Sequence, residues 1–293
     1  YLPKLKVEGT SRKNLTHSKL VKEHSELGDV LYYNNKEELM REGLCMFSLA
    51  GKNAVVTGVS KGLGQGMAIG LAKAGANIVG IGISDMTDTR NKVESLSRKF
   101  YEIKADLLNL EDIERVTEDA LDLVERIDIL VNNSGIIRRS PAEEYTAEDW
   151  NDVIDVNLNA VFQLSSAVGK HMIKNGSGKI INIASMLSFQ GGVNVPAYTA
   201  SKHGVAGLTK SLANEWSAKG VCVNAIAPGY MATDNTEALR NDKERSNFIL
   251  SRIPAGRWGT PDDLAGPVVF LASDASNYVN GHILCVDGGW MSF

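Results

Sequence analysis

The chain has 293 residues, 31 Lys and Arg against 35 Asp and Glu, a formal net charge of −4 and 43% hydrophobic residues, the profile of a globular protein without the concentrated basic surface that a nucleic-acid backbone requires. Cys45, Cys222 and Cys285 lie too far apart for a disulfide framework or a zinc site, and the five histidines form no HExxH pattern, so no metal is expected. No apolar run approaches the roughly 20 residues that span a bilayer and no secretory signal opens the chain, so the expected partner is a small molecule, with neither nucleic acid nor membrane, and the expected location is the cytoplasm.

Residues 1–44 are rich in Lys, Glu, Asn and Ser, with only short apolar stretches such as Val30-Leu31-Tyr32-Tyr33. They predict a poorly packed N-terminal extension. The chain begins at Tyr1 rather than Met, so its extreme end reads as a fragment boundary. Lys36-Glu37-Glu38 is what a purine-rich ribosome-binding site yields when translated in frame, which would make Met40 or Met46 the native start; an ordinary disordered tail is the alternative.

From Leu49 onward short apolar runs alternate with helical patterns. Strands are expected at Asn53-Thr57, Asn77-Ile83, Ile127-Asn132, Lys179-Ala184, Val221-Ala227 and His282-Val286. Helices fit between them at Gly64-Ala74, Leu110-Val124 and Ala147-Gly169. This order predicts an α/β fold, a single Rossmann-type domain over residues 45–293 with a doubly wound parallel sheet.

The first strand runs into Thr57-Gly58-Val59-Ser60-Lys61-Gly62-Leu63-Gly64, and a helix follows directly. Small residues there let a backbone approach a pyrophosphate, and the helix start offers unpaired N–H groups and the positive end of a dipole. An acid at the end of the second strand would bind ribose hydroxyls and repel a 2'-phosphate. Here that place reads Gly82-Ile83-Ser84-Asp85, so the acid is missing or displaced, and Lys61 could meet a phosphate. On the residues alone the loop leans to NADP(H).

Further on, the strand Ile180-Ile181-Asn182-Ile183-Ala184 ends at Ser185, and Tyr198-Thr199-Ala200-Ser201-Lys202 opens a helical pattern. Residues four apart share a helix face, so the Lys202 ammonium can lie by the Tyr198 phenol and is expected to lower its pKa from about 10. Tyr198 would then exchange a proton with an alcohol or its alkoxide while Ser185 holds the oxygen.

The loop TGxxxGxG at Thr57, Gly58, Gly62 and Gly64, the Ser185–Tyr198–Lys202 spacing, Asn132-Asn133-Ser134-Gly135 and Pro228-Gly229-Tyr230-Met231-Ala232-Thr233 together resemble the short-chain dehydrogenase/reductase family. The resemblance covers about Phe47 to Phe293. It implies a nicotinamide cofactor held by Thr57, Gly58, Ser60, Lys61, Gly62, Leu63, Gly64, Asn133, Gly135, Tyr198, Lys202, Pro228, Gly229 and Thr233, with Asp106 against the adenine. It also makes Asn157 the fourth member of a catalytic set with Ser185, Tyr198 and Lys202.

Longer stretches, including Gly62-Leu63-Gly64-Gln65-Gly66-Met67-Ala68 and Ile253-Pro254-Ala255-Gly256-Arg257-Trp258-Gly259, are similar to the bacterial sugar-acid members of that family. They imply reversible interconversion of 2-dehydro-3-deoxy-D-gluconate and 2,5-diketo-3-deoxygluconate in uronate breakdown, NAD(H) rather than NADP(H), and a homotetramer. Arg138 or Arg139 is the expected partner of the substrate carboxylate, with a surface ion pair as the alternative. Thr233-Arg252, polar and helical in pattern, is the expected lid. Gluconate 5-dehydrogenation, reduction of a ketoacyl thioester and a non-catalytic cofactor-sensing protein remain as alternatives.

Overall fold

The structure, a computed structural model, describes residues 46–292; the expectations for residues 1–44 lie outside them. Seven parallel strands form one sheet in the order β3-β2-β1-β4-β5-β6-β7. These are β1 Asn53–Thr57, β2 Asn77–Gly82, β3 Phe100–Lys104, β4 Ile129–Asn132, β5 Gly178–Ile183, β6 Val221–Pro228 and β7 Ile283–Val286. The central strands bear side chains such as Val55, Val56, Leu130, Val131, Ile180 and Ile181, buried on both faces of the sheet. That is the reason they read as continuous apolar runs rather than alternations.

Six of the strands fall within two residues of the sequence expectation. β3 was not foreseen. Its sequence FYEIK carries Glu102 and Lys104, it lies at the sheet edge, and its pairing is with β2 alone, from Ile78 opposite Phe100 to Gly82 opposite Lys104. An edge strand with an open side needs no apolar run, so the local pattern does not announce it.

Helices α1 Gly62–Lys73, α2 Thr87–Glu94 and α3 Ile113–Val124 follow the first three strands. The expected helix over 147–169 is three pieces: α4 Ala147–Ile154, a π-helical segment Asp155–Asn159, and α5 Ala160–Lys174. Helix α6, Pro196–Trp216, starts with a proline in its first turn, where the missing N–H would have no partner in any case. The stretch after β6 contains a short 3-10 turn Asp234–Thr236, then α7 Glu237–Asn241 and α8 Lys243–Ser251, and α9 Ala265–Ala272 precedes β7.

One apolar cluster joins α1 and α9 to one face of the sheet through Met67, Leu71, Leu264, Val268 and Leu271. A second joins α3, α5 and α6 to the other face through Ile113, Val116, Leu164, Val168, Leu212 and Trp216. Strand order reverses between β1 and β4, so the crevice where loops diverge opens beyond the carboxyl ends of those two strands.

Candidate active site

The loop after β1 is shaped by its neighbours. Gly58 and Gly62 have φ of +69° and +61°, backbone that side chains rarely adopt. A Cβ on Gly64 would lie 2.1 Å from the Gly58 carbonyl oxygen, so only glycine permits the loop to fold back on the helix start. Thr89 donates to the Val59 carbonyl (2.7 Å) and Gln65 to the Ser60 carbonyl (3.3 Å), which draws the loop's acceptors toward α1 and α2. Helix α1 has no side-chain cap and no acid in its first turn. Its leading N–H groups and positive dipole end therefore remain for an anion. A Cβ on Gly62 would meet only Thr233 Cγ2, at 3.8 Å, so the loop after β1 and the loop after β6 face each other across this opening. That cradle fits a dinucleotide pyrophosphate.

Thr57 and Asn133 serve each other. The Thr57 hydroxyl accepts from the N–H groups of Asn133 (2.9 Å) and Ser134 (2.8 Å), and the Asn133 amide donates to the carbonyls of Thr57 (2.9 Å) and Gly58 (3.2 Å). Their polar atoms stitch the β1 loop to the β4 loop. Lys61, expected at a phosphate, is paired with Asp234 at 2.6 Å. Asp106 is exposed and closes a turn, accepting from Leu108 N–H at 3.0 Å. Asp85, the displaced acid, accepts from both the hydroxyl (2.6 Å) and the N–H (3.0 Å) of Thr87 at the start of α2. Pro228 ends β6, and Gly229 N–H donates to Val286 (3.0 Å), leaving its Cα against Asp287 where a Cβ would collide at 2.6 Å.

Ser185, Tyr198, Lys202 and Asn157 converge where β5 meets α6. Ser185 caps a short 3-10 turn, its hydroxyl accepting from Leu187 N–H at 3.1 Å and keeping its own proton to give. Ser188, three residues on, donates to the Lys202 carbonyl (2.6 Å) and accepts from Ser185 N–H (3.3 Å), so this one hydroxyl fixes the Ser185 turn to α6. Lys202 is 4% exposed, and its ammonium donates to the Ile183 carbonyl at 2.6 Å while lying 5.6 Å from the Tyr198 ring centre. Asn157, fully buried in the π-helical segment, accepts from Ile136 N–H (2.8 Å) and donates to Ile136 O (2.9 Å) and Ser201 Oγ (3.3 Å). Ser201 in turn donates to the Tyr198 carbonyl at 2.8 Å. The π turn is the device that carries an asparagine inward from a helix, a distortion common at functional sites.

The electrostatics correct one expectation. The Tyr198 phenol is raised above its ordinary value: burial pushes it up, a hydrogen bond with Ser185 and the charge of Arg139 act in the lowering direction, and burial wins. Lys202 does not lower it here, because its ammonium is directed to the Ile183 carbonyl. Burial instead brings Lys202 itself down to about 8 from 10.5.

Arg138 and Arg139 separate. Arg138 pairs with Asp149 (3.3 Å) and Asp152 (3.4 Å), both on α4. Arg139 is exposed, makes no ion pair among the described residues and acts on Tyr198. Past α8 an aromatic group forms. Tyr230 packs edge-on against Trp258 (5.5 Å) and Trp290 (4.8 Å), the Arg252 guanidinium lies 4.0 Å over Trp290, and Met186, Ile249 and Ile253 fill the space between. This group attaches the predicted lid stretch and the chain's C-terminal end to the turn that carries Ser185.

Ser188, Ser201 and Trp290 were not picked out from the sequence. Two serines among many carry no pattern of their own, and only the backbone atoms they meet distinguish them.

A family model described as "Enoyl-(Acyl carrier protein) reductase" matches residues 58–291. The chain is 58% identical to the 2-dehydro-3-deoxy-D-gluconate 5-dehydrogenase of Escherichia coli strain K12, over 85% of this chain and 99% of that one. A solved Agrobacterium tumefaciens structure, provisionally described as a 2-deoxy-D-gluconate 3-dehydrogenase with bound NADP, is 51% identical with a TM-score of 0.80, covering 85% of this chain and 99% of its own. The gluconate 5-dehydrogenase of Burkholderia cenocepacia, solved with NADP and tartrate, is 38% identical with a TM-score of 0.81, covering 86% and 99%.

Proposed function

The chain belongs to the short-chain dehydrogenase/reductase family, and from that premise we propose that it is an NAD(P)-dependent 2-dehydro-3-deoxy-D-gluconate 5-dehydrogenase, interconverting that sugar acid and 2,5-diketo-3-deoxygluconate. The observation that carries the reading is a single one: Ser185, Tyr198 and Lys202 meet at the end of β5 while Arg139, free of any ion pair among the described residues, stands near enough to act on the Tyr198 phenol. A sugar acid needs both ends of that arrangement, a proton-transfer group for its hydroxyl and a cation for its carboxylate.

A nicotinamide ring, when bound, supplies the hydride carrier. The chain's own residues do the rest. The amides of the Gly62–Gly64 helix start would hold the pyrophosphate, and Pro228, Gly229 and Thr233 would hold the nicotinamide end. Ser185 donates its hydroxyl proton to the substrate oxygen. Tyr198, kept protonated by burial, gives its proton to the nascent alkoxide in reduction and takes it back in oxidation. Lys202 places a positive charge 5.6 Å from the ring centre; its ammonium is held on the Ile183 carbonyl, and it would stabilise the phenolate formed after transfer by turning from that carbonyl to the phenol oxygen. Asn157 positions this group by tying Ile136 to Ser201.

The end of the second strand carries no acid of its own: Gly82 ends β2, and the displaced Asp85 carboxylate is exposed, held through Oδ1 by the Thr87 hydroxyl and N–H and kept ionised by them. The NADP held by the Agrobacterium and Burkholderia relatives supports acceptance of NADP(H) beside the NAD(H) expected from the sugar-acid resemblance. We also read the exposed Phe162 of α5 and Trp150 of α4 as part of a homotetramer contact, in a cytoplasmic enzyme; light scattering that finds a monomer at micromolar concentration overturns that contact.

One panel tests the assignment: NADH and NADPH consumption with 2,5-diketo-3-deoxygluconate, 5-ketogluconate and an acetoacetyl thioester. The expected result is the highest kcat/KM with the first. A tenfold preference for 5-ketogluconate replaces the assignment with gluconate 5-dehydrogenase, and no turnover of any substrate removes the enzyme reading altogether.

A further inference from the structure

At the opposite end of the sheet from the crevice, a cavity of about 510 Å³ opens around the amino-terminal ends of β1, β4, β5 and β6. Lys179 and Cys222 line it. They are register partners on neighbouring parallel strands, and the Lys179 ammonium donates to Cys222 Sγ at 3.7 Å. Its other contacts are neutral acceptors, Asn277 Oδ1 at 2.8 Å and Ser276 Oγ at 3.3 Å, and among the described residues no carboxylate lies within ion-pair distance of it. Burial, the largest cause, lowers the Lys179 pKa, opposed by Cys222 and then Asp274, with Lys52 adding the smallest effect in the lowering direction. Nothing in the catalytic arrangement uses either residue.

We propose that Lys179 and Cys222 form a reversible, peroxide-driven covalent link. The thiolate is the form of a cysteine that reacts with peroxide, and the Lys179 side chain stands in contact with the sulfur that would react. The thiolate attacks one peroxide oxygen, the O–O bond breaks, hydroxide leaves and is protonated to water, and Cys222 becomes a sulfenic acid. The sulfur has lost two electrons and the peroxide has gained them. The neutral Lys179 amine, favoured by its desolvated position, then attacks that sulfur. An S–N bond forms, the S–O bond breaks, and hydroxide leaves with the amine proton as a second water. Thiol, amine and one peroxide thus give a sulfenamide and two waters. Because the partners already stand opposite each other on adjacent strands, closing the bond needs little backbone movement. It stops Cys222 short of irreversible oxidation, and a dithiol returns both side chains.

The test is peptide mapping of the full-length protein after brief treatment with hydrogen peroxide, read beside intact mass. A species two hydrogen masses lighter, with a fragment joining Lys179 to Cys222 that dithiothreitol releases, is expected. Lys179→Met should abolish that fragment and make Cys222 trappable by dimedone, and Cys222→Ser should abolish the mass loss with the lysine intact. The exposed Cys285 is the internal control and should give only the dimedone adduct. If Cys222 of the wild-type protein is trapped by dimedone as fully as Cys285, with no linked fragment, the proposal is wrong. That result stands without either variant.

Discussion

Lys202 and Lys61 face the same crevice and are held in opposite ways. Lys202 is nearly excluded from solvent and meets a neutral carbonyl at 2.6 Å; Lys61 is largely exposed and meets the Asp234 carboxylate at 2.6 Å. The distances are equal, but the energetics are not. Water around Lys61 screens its pair and solvates either partner alone, whereas Lys202 carries its charge against a desolvation cost that no carboxylate among the described residues offsets. A fold retains such a cation where chemistry uses it. The contrast ranks the residues around the crevice: effects should be large where a group is buried and uncompensated, and small where it is exposed and paired.

The largest effect is expected at the group the buried cation faces. Replacing Tyr198 by Phe removes the transferable proton while keeping the ring, and turnover should fall by roughly 10²–10⁴-fold, the range general acid–base catalysis supplies, with dinucleotide affinity unchanged. Turnover within about threefold of wild type would remove Tyr198 from the mechanism.

Lys202 should reveal its burial in stability as well as in activity. Its pKa is about 8 in the folded chain against 10.5 ordinarily, so below about 8 both states hold the proton and the folded one bears the full cost of the buried ammonium. Between about 8 and 10.5 the unfolded chain keeps its proton while the folded one releases it, so this residue's contribution to stability rises with pH across that window. Lys202→Met should lose turnover and also lose that rise. Melting temperatures of both proteins from pH 7 to 10.5 make the check; parallel curves would mean the ammonium is not the desolvated group.

Much of this was legible because chain-local geometry fixes it. The loop from Thr57 to Gly64 lies directly at a strand-to-helix junction, and Tyr198 and Lys202 share a face through helix periodicity alone. Asn157 was readable only through resemblance, since a helical pattern gives no notice that one turn widens to π geometry and carries a side chain into the interior. The direction of the Tyr198 shift was misread for a similar reason. Spacing shows that a cation is near, but whether its N–H groups point to the phenol or to a carbonyl of β5 depends on a strand nineteen residues away. β3 escaped because an edge strand is recruited by its partner rather than by its own apolar content.

The arginine pair sharpens the contrast within two adjacent residues. A hydrogen bond to a charged group contributes about 1.5–3 kcal/mol, roughly 10- to 100-fold in binding. Arg139→Ala should therefore raise KM for the sugar acid by about that factor and leave an uncharged analogue within about twofold. Arg138→Ala should act mainly through the start of α4, because its guanidinium already meets Asp149 and Asp152, and KM should move little. Equal KM effects of the two substitutions would show that neither the ion pair nor its absence decides which arginine meets the carboxylate.

The smallest effect belongs to Lys61, and its smallness is informative. Its pKa is raised and that of Asp234 lowered by their mutual hydrogen bond and charge, yet both groups are largely open to water, so the pair should contribute nothing measurable to melting temperature. Lys61→Ala should leave thermal stability and NADH-dependent turnover unchanged. The same substitution separates two roles for the exposed cation. If Lys61 stays with Asp234 when a dinucleotide binds, the NADPH-to-NADH ratio of kcat/KM is also unchanged; if it leaves Asp234 for a 2'-phosphate, the ratio falls and Asp234→Ala, which frees the lysine, raises it. Only the second pattern restores Lys61 to the phosphate contact expected from the glycine loop, and it would make an exposed, paired residue selective in binding without making it stabilising in the fold.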